Sequence, residues 1–252
     1  MSSTAPILVI GGTRGTGLLI AERLARRGDA VRVLARRPDR AATRLPHGLQ
    51  IVPGDLTRPE TLPPAVAGAN AIVFTAGSRS GVPERESRVR ATDHEGVRIV
   101  IAAAQRTGFA GRLLYMNSIG VTTRSLPATL LNLFKGNVLR WRRRAEDEIR
   151  ASELDYTIIR AGFLLNRAGG SHELVVTQEA LPLSIRYRIA RADVADVFVS
   201  ALDTPGVSRA TFDVVWGEGP KTSSIPELLR PIIADAAVGV RQQEATSPRR
   251  HG

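Results

Sequence analysis

The segment most able to do chemistry lies near the start of the chain, where Gly11-Gly-Thr-Arg-Gly15-Thr-Gly17 places glycines at positions 11, 15 and 17 around an arginine and two hydroxyls. The apolar run Ile7-Leu-Val-Ile10 leads directly into it, and a helical pattern leaves it. A strand that turns sharply into a helix aims the helix's first backbone amides at one point, which suits a negatively charged group. Gly11 would allow the tight turn, Gly15 would let a ligand approach the backbone, and Gly17 would let the helix sit close to the sheet. In this strand–turn–helix setting the pattern predicts a cradle for the pyrophosphate of a dinucleotide, with Thr13, Arg14 and Thr16 in the same turn.

A second group with chemical meaning follows the next strand pattern, in Leu34-Ala-Arg36-Arg37-Pro38. An acidic residue in this place would take the two ribose hydroxyls of NAD(H). Here there is none, and two guanidiniums stand instead. Guanidiniums form charge-assisted, often bidentate bonds with phosphate. The expectation is NADP(H) in preference to NAD(H), which stays possible. Arg14 is placed to reach the same 2′-phosphate.

Elements that would position these groups alternate along the chain. Apolar runs at Pro6–Ile10, Ala30–Ala35, Leu49–Val52, Ala71–Thr75, Arg112–Met116, Tyr156–Arg160 and Ala210–Val215 read as strands. Helical patterns lie between them at Thr16–Arg27 (Leu18, Ala21 and Ala25 on one side), Glu84–Thr107, Ala128–Ser152 and Arg191–Leu202, the last with Val194, Val197, Phe198 and Ala201 in phase. Such alternation predicts a parallel sheet with helices on both faces. Leu174–Arg188 reads as short strands or a lid, and Ser224–Ala234 as a short helix. The expected organisation is one domain over residues 1–240, with substrate-side insertions at about 163–190 and 203–240, and a disordered tail at 241–252. In an open sheet of this kind ligands sit beyond the carboxyl ends of the strands. That rule selects Thr75, Ala76 and Gly77 after the fourth strand and Asn117 and Ser118 at the end of the fifth.

Composition removes several alternatives. The chain of 252 residues has no cysteine, so disulfides, thiolate metal sites and thiol nucleophiles are excluded. His47, His94, His172 and His251 show no metal-ligand spacing, and no metal is expected. No apolar run reaches the ~18 residues of a spanning helix, so membrane insertion is not expected. The start Met-Ser-Ser-Thr-Ala-Pro does not read as a secretory signal, which points to the cytoplasm. The net charge of +11 raises nucleic-acid binding. The arginines, however, are spread along the chain, and the dense Arg140-Trp-Arg-Arg-Arg144 reads as the solvated face of a helix. No nucleic-acid partner is expected; the positive field would instead collect an anionic cofactor or substrate.

The glycine spacing, with Val31-Arg-Val-Leu-Ala-Arg-Arg-Pro38, Gly54-Asp-Leu56, Phe74-Thr-Ala-Gly77, Tyr115-Met-Asn-Ser-Ile-Gly120 and Ala145–Arg160, resembles the short-chain dehydrogenase/reductase superfamily over roughly four-fifths of the chain. More narrowly it resembles the atypical NAD(P)H-binding, NmrA-like and biliverdin-reductase-B-like branch. The resemblance implies an α/β doubly wound parallel sheet (Rossmann fold) with a small C-terminal substrate-side region. It implies Asp55 and Leu56 as adenine neighbours, with a plain helix cap as the alternative for Asp55. It also implies Arg160, Gly162 and Phe163 beside the nicotinamide, although Ala161 stands where the branch has proline.

The same resemblance exposes a gap. Short-chain reductases use Tyr-x-x-x-Lys, the tyrosine donating a proton and the lysine lowering its pKa. Aligning on Ala145-Glu146 puts Val138 and Arg142 at these places, and a one-residue shift puts Leu139 and Arg143 there. Neither register supplies a phenol. Arg142 can hold ribose hydroxyls but is a poor acid, and Ser118 can orient a substrate carbonyl. Tyr115 and Tyr156 read as core, and Tyr187 as a freer group. The functional expectation is hydride transfer to a small organic acceptor without the usual acid. The alternatives are an NADP(H)-sensing regulator or an assembly protein without turnover; a sugar-nucleotide epimerase fits less well, because the tyrosine is missing and the C-terminal part is short. A small-molecule substrate and a monomer or homodimer are expected. In Arg191-Ala-Asp193, structural work is expected, with Arg191 pairing with Asp193 or lining the pocket.

Overall fold

A computed structural model describes residues 5–78 and 84–238. Its main sheet is built from β1 (Ile7–Ile10), β2 (Val31–Ala35), β3 (Gln50–Pro53), β4 (Ala71–Phe74), β5 (Arg112–Ser118), β6 (Asp155–Ala161), β8 (Leu174–Thr177) and β10 (Ala210–Trp216). The spatial order is β3-β2-β1-β4-β5-β6-β10-β8. All pairings are parallel except β8 on β10. The order reverses between β1 and β4, so the crevice at their carboxyl ends is the topological switch point where ligands of such sheets bind.

Buried strands explain the apolar runs: β1 and β4 are buried at every position, as expected for strands covered on both faces. One face is covered by α1 (Gly15–Arg27), α8 (Arg191–Leu202) and α9 (Ile225–Leu229). The other is covered by α3 (Leu62–Val66), α5 (Gly96–Arg106) and α7 (Val138–Ala151). On α1 the deeply buried positions are Ile20, Ala21 and Leu24, with Leu18 and Ala25 only partly covered, so the inward face is rotated from the one expected. The predicted face of α8 is buried at Val194, Val197, Phe198 and Ala201.

Three segments differ from expectation. The long helix after β4 is α4 (Glu86–Arg90) joined to α5 through a π-helical turn at Ala91–Glu95. The wider turn seats Asp93, which is buried. The helical stretch around residue 135 is divided into α6 (Leu126–Phe134) and α7, because Gly136 and Asn137 adopt φ +55° and +57°; asparagine tolerates this left-handed region better than most residues. The region assigned to the substrate side contributes β10 and β8 to the main sheet, and β7 (Phe163–Leu165) pairs with β9 (Arg188–Ala190) as a separate two-stranded sheet. A strand parallel to β6 is buried on both faces, which accounts for the apolar run at 210–216. The α2 helix (Pro38–Ala42) completes the edge beside β2. The tail expected to be disordered lies outside the described residues.

Candidate cofactor and reaction site

Gly11 and Gly17 take the tight turn and the close packing that their spacing predicts. Gly11 has φ +89°, and a Cβ there would lie 2.6 Å from the Ala76 nitrogen, so the turn closes directly on the end of β4. Thr75 completes the contact by donating its N–H and its hydroxyl to the Ile10 carbonyl, at 2.8 and 3.1 Å. A Cβ on Gly17 would meet Thr75 Oγ1 at 2.3 Å and the Gly11 carbonyl at 2.4 Å, which is the close packing that demands glycine. Gly15 is different: it has φ +58° and no atom within 4 Å of a Cβ position. Its surroundings are open, as a backbone that receives a ligand requires.

The first turn of α1 contains no acidic residue, and its N-cap, Arg14, makes no capping bond. A second cation reaches the same place from a distant element. Arg191, at the start of α8, donates to Asn166 Oδ1 at 2.8 Å and lies 3.5 Å from Thr16 Oγ1. Burial, and then the charge of Arg14, hold Arg191 below the ordinary arginine range. Among the described residues neither arginine has a carboxylate partner. The expected pairing of Arg191 with Asp193 is not formed. Asp193 instead accepts from the Gly170 N–H at 2.6 Å and the Trp216 indole at 2.7 Å, which is structural work. Only the tertiary fold brings residue 191 to residue 14.

Arg36 and Arg37 stand exposed at the end of β2, without ion pairs among the described residues. Asp55 Oδ1 accepts from both the N–H and the hydroxyl of Thr57, each at 2.9 Å, so it does cap its turn. Leu56 packs against Gly96, 3.3 Å from that residue's Cβ position.

The reaction end gathers around Arg142. Its Nε donates to Asp93 Oδ1 at 2.9 Å, and its Nη1 donates to Ser118 Oγ at 3.3 Å. Its Nη2 lies 3.2 Å from the Cβ position of Gly77. Asp93 is held by the Ser78 N–H at 2.8 Å. Arg142 is thus the arginine of this stretch that faces Ser118 and Gly77, whereas Arg143 is exposed and Val138 is buried among Val121, Leu139 and Trp141. Burial lowers the Arg142 pKa, but Asp93 and its neighbours outweigh it and raise the net value. Arg142 is therefore a fixed positive charge, not a proton donor. Ser118 accepts from it and keeps a hydroxyl proton to donate.

Two side chains expected at the cofactor lie inside the fold. The Asn117 side chain is buried, its Nδ2 donating to Glu146 Oε1 at 2.7 Å and its Oδ1 accepting from the Ser118 N–H at 2.9 Å. Arg160 is buried as well and forms a bidentate pair with Glu146, Nε to Oε1 at 2.8 Å and Nη2 to Oε2 at 2.6 Å, with Asp213 at 3.7 Å. A fully buried Glu146 must have such partners. These side chains fasten α7 to β5 and β6. Gly162 is needed for packing, since a Cβ would lie 2.6 Å from the Tyr187 carbonyl, while Phe163 is 56% exposed on β7. Tyr115 is buried, and burial raises its pKa further from use as an acid. Tyr156 donates to Asp235 Oδ2 at 3.0 Å, and burial with that carboxylate pushes it up to about 12. Both tyrosines are structural.

A glycine turn at the switch point of an open parallel sheet, with cations rather than acids around it, defines the chain as an α/β dinucleotide-binding protein. It belongs to the NAD(P)H-binding family, whose pattern matches residues 11–205. It is 31% identical over 249 residues to sanguinarine reductase of Eschscholzia californica, covering 84% of this chain and 89% of that protein. It is 27% identical to the photosystem II assembly factor Ycf39 of Synechocystis, covering 84% of this chain and 64% of the longer relative. The fold matches a putative NAD-dependent epimerase/dehydratase from Bacillus halodurans with a TM-score of 0.75 at 24% identity, over 90% of this chain and 99% of that one. Among the described residues no helix is long and apolar enough to cross a membrane.

Proposed function

We propose that the chain is a cytoplasmic NADP(H)-dependent reductase of the atypical short-chain type, passing a hydride to a small organic acceptor. The observation that carries this reading is the pair Arg14 and Arg191, two cations converging on the open start of α1 without a carboxylate partner among the described residues. Like charges held together in this way are relieved by an anion between them. The backbone from Gly11 to Gly17, with Thr13 and Thr16, would take the pyrophosphate of the cofactor. Arg36 and Arg37 would take the 2′-phosphate, and Asp55 and Leu56 would border the adenine. Thr75, Ala76 and Gly77 would pass the ribose, and Arg142 would hold its hydroxyls.

When bound, the cofactor supplies the hydride. Ser118 then donates a hydrogen bond to the substrate carbonyl, and the fixed charge of Arg142 favours the oxyanion that develops there. Neither Val138 nor Leu139 supplies the missing phenol, and in this reading water or the substrate itself supplies the proton. The sanguinarine reductase relative supports turnover in such a frame. A second reading, a cofactor-sensing assembly protein, rests on Val138 in the tyrosine place and on the Ycf39 relative. Titration of the purified chain with NADPH and NADH, followed by an acceptor screen that includes flavins and quinones, separates the two. Binding with NADPH oxidation supports the reductase; tight binding with no acceptor turned over supports the sensor.

A further inference from the structure

Helix α6 carries its large apolar side chains on the outside. Leu126, Leu130, Leu133 and Phe134 are 80, 54, 74 and 52% exposed against the described residues. Their spacing of i, i+4, i+7 and i+8 puts them on one helical stripe. Ala128 and Leu131 hold the helix down on Val121, Val138 and Leu183. Leu183 belongs to the loop that also presents Ile185, 81% exposed. A contiguous apolar surface of this kind marks a contact site.

Charge indicates what covers it. Between Ser118 and Ala145 there is no Asp or Glu, whereas Arg124, Lys135, Arg140, Arg143 and Arg144 flank or follow the helix. Arg124 lies two residues before α6, Lys135 is its C-cap, and Arg186 adjoins Ile185. Among the described residues, the acids Glu84 and Glu86 at the head of α4 make contacts here, and Glu179 lies earlier in the Ile185 loop. Glu84 meets the helix end through its N–H on the Phe134 carbonyl, and Glu86 is occupied by the Trp141 indole at 3.0 Å. A second copy of the chain on this face would set these cations against themselves. A membrane surface with negative headgroups offers an apolar layer for the leucines and counter-charges for the arginines.

We propose that α6 and the Ile185 loop form an interfacial site that lies on anionic lipid bilayers. The leucines and Phe134 sink below the headgroups, and the arginines stay among them. This site does not depend on the cofactor reading. Co-sedimentation of the full chain with phosphatidylglycerol–phosphatidylcholine vesicles, and with phosphatidylcholine alone, tests it. Binding to the anionic vesicles is expected to exceed binding to the neutral ones by about tenfold and to weaken as salt rises. The double change Leu126→Glu and Leu133→Glu should abolish it with the melting temperature preserved. If that variant melts early, Arg140→Gln with Arg143→Gln on exposed positions should still lower it several-fold. Absence of binding to anionic vesicles overturns the proposal. So does a wild-type dimer in sedimentation velocity that the leucine variant dissolves, because the face is then homotypic.

Discussion

Arg142 and Asp93 form an ion pair of 2.9 Å between α7 and the π-helical turn, with the Asp93 side chain only 2% exposed. The turn carries this carboxylate inward, and the pair holds the guanidinium between Ser118 and Gly77. Removing one partner leaves a buried charge uncompensated, which typically costs about 3–5 kcal/mol. Arg142 is about a quarter exposed, so Arg142→Ala is expected to lower stability by about 2–3 kcal/mol in urea titration. Asp93→Asn combined with Arg142→Gln should recover part of that loss. If the double variant is no more stable than Arg142→Ala, the pair is not what sets the cost.

Arg36→Ala with Arg37→Ala tests the coenzyme preference. Both side chains are exposed and make no ion pairs among the described residues, so the fold should not notice their loss. Loss of charge-assisted bonds to a phosphate should weaken NADPH by about 30-fold while NADH changes by less than about twofold. Isothermal titration with both coenzymes reads the difference. Equal weakening of the two would remove the 2′-phosphate from the account.

Arg191→Ala makes the opposite demand. Pyrophosphate is common to both coenzymes, so NADPH and NADH should weaken together, by about tenfold for one charge-assisted contact. Inorganic pyrophosphate should protect the wild type against heat and lose that effect in the variant. A variant that binds both coenzymes as the wild type does would return Arg191 to a purely structural role.

The pattern of these residues shows what a sequence can reveal. The glycine turn, the strand ends and the acid-free end of β2 are local, so the apolar periodicity and the residues next to it disclosed them. For Asn117 and Arg160 the strand position is legible, but the direction of each side chain is set by Glu146, a buried acid on α7 that the local pattern does not name. Arg191 was underrated for the same kind of reason, since its meaning comes from Arg14, far away in the chain. The inward face of α1 and the edge position of β8 also depend on neighbours that sequence periodicity does not name.

Asp213 gives the stability a pH dependence. Burial pushes its pKa up to about 6, against the lowering effects of the Leu181 N–H and Arg160. Its usual value is 3.8, so the folded chain holds this proton more tightly than the unfolded chain. The contribution is fully present below the unfolded value and is lost as pH rises towards 6, a change of about 3 kcal/mol. Asp213→Asn should flatten that slope in denaturation curves between pH 4 and about 6. Because Asp213 holds Leu181, whose carbonyl accepts from Gly120 beside the site, the same variant checks whether the loop stays docked.

Gly15 and Gly17 are two residues apart and should fail in different ways. A Cβ on Gly17 lies within 2.4 Å of both Thr75 Oγ1 and the Gly11 carbonyl, so Gly17→Ala must push α1 off the sheet. Overpacking of that kind costs about 1–3 kcal/mol, and coenzyme affinity falls because the turn itself moves. On Gly15 the added methyl meets nothing, and the cost is the left-handed backbone, about 1–2 kcal/mol. Yet the methyl projects where a pyrophosphate would lie, so Gly15→Ala should lose most of its coenzyme affinity while staying folded. Thermal melts with and without NADPH make the comparison. A Gly15→Ala protein stabilised by NADPH as strongly as the wild type would mean that the open space above this residue is not where the coenzyme's phosphates rest.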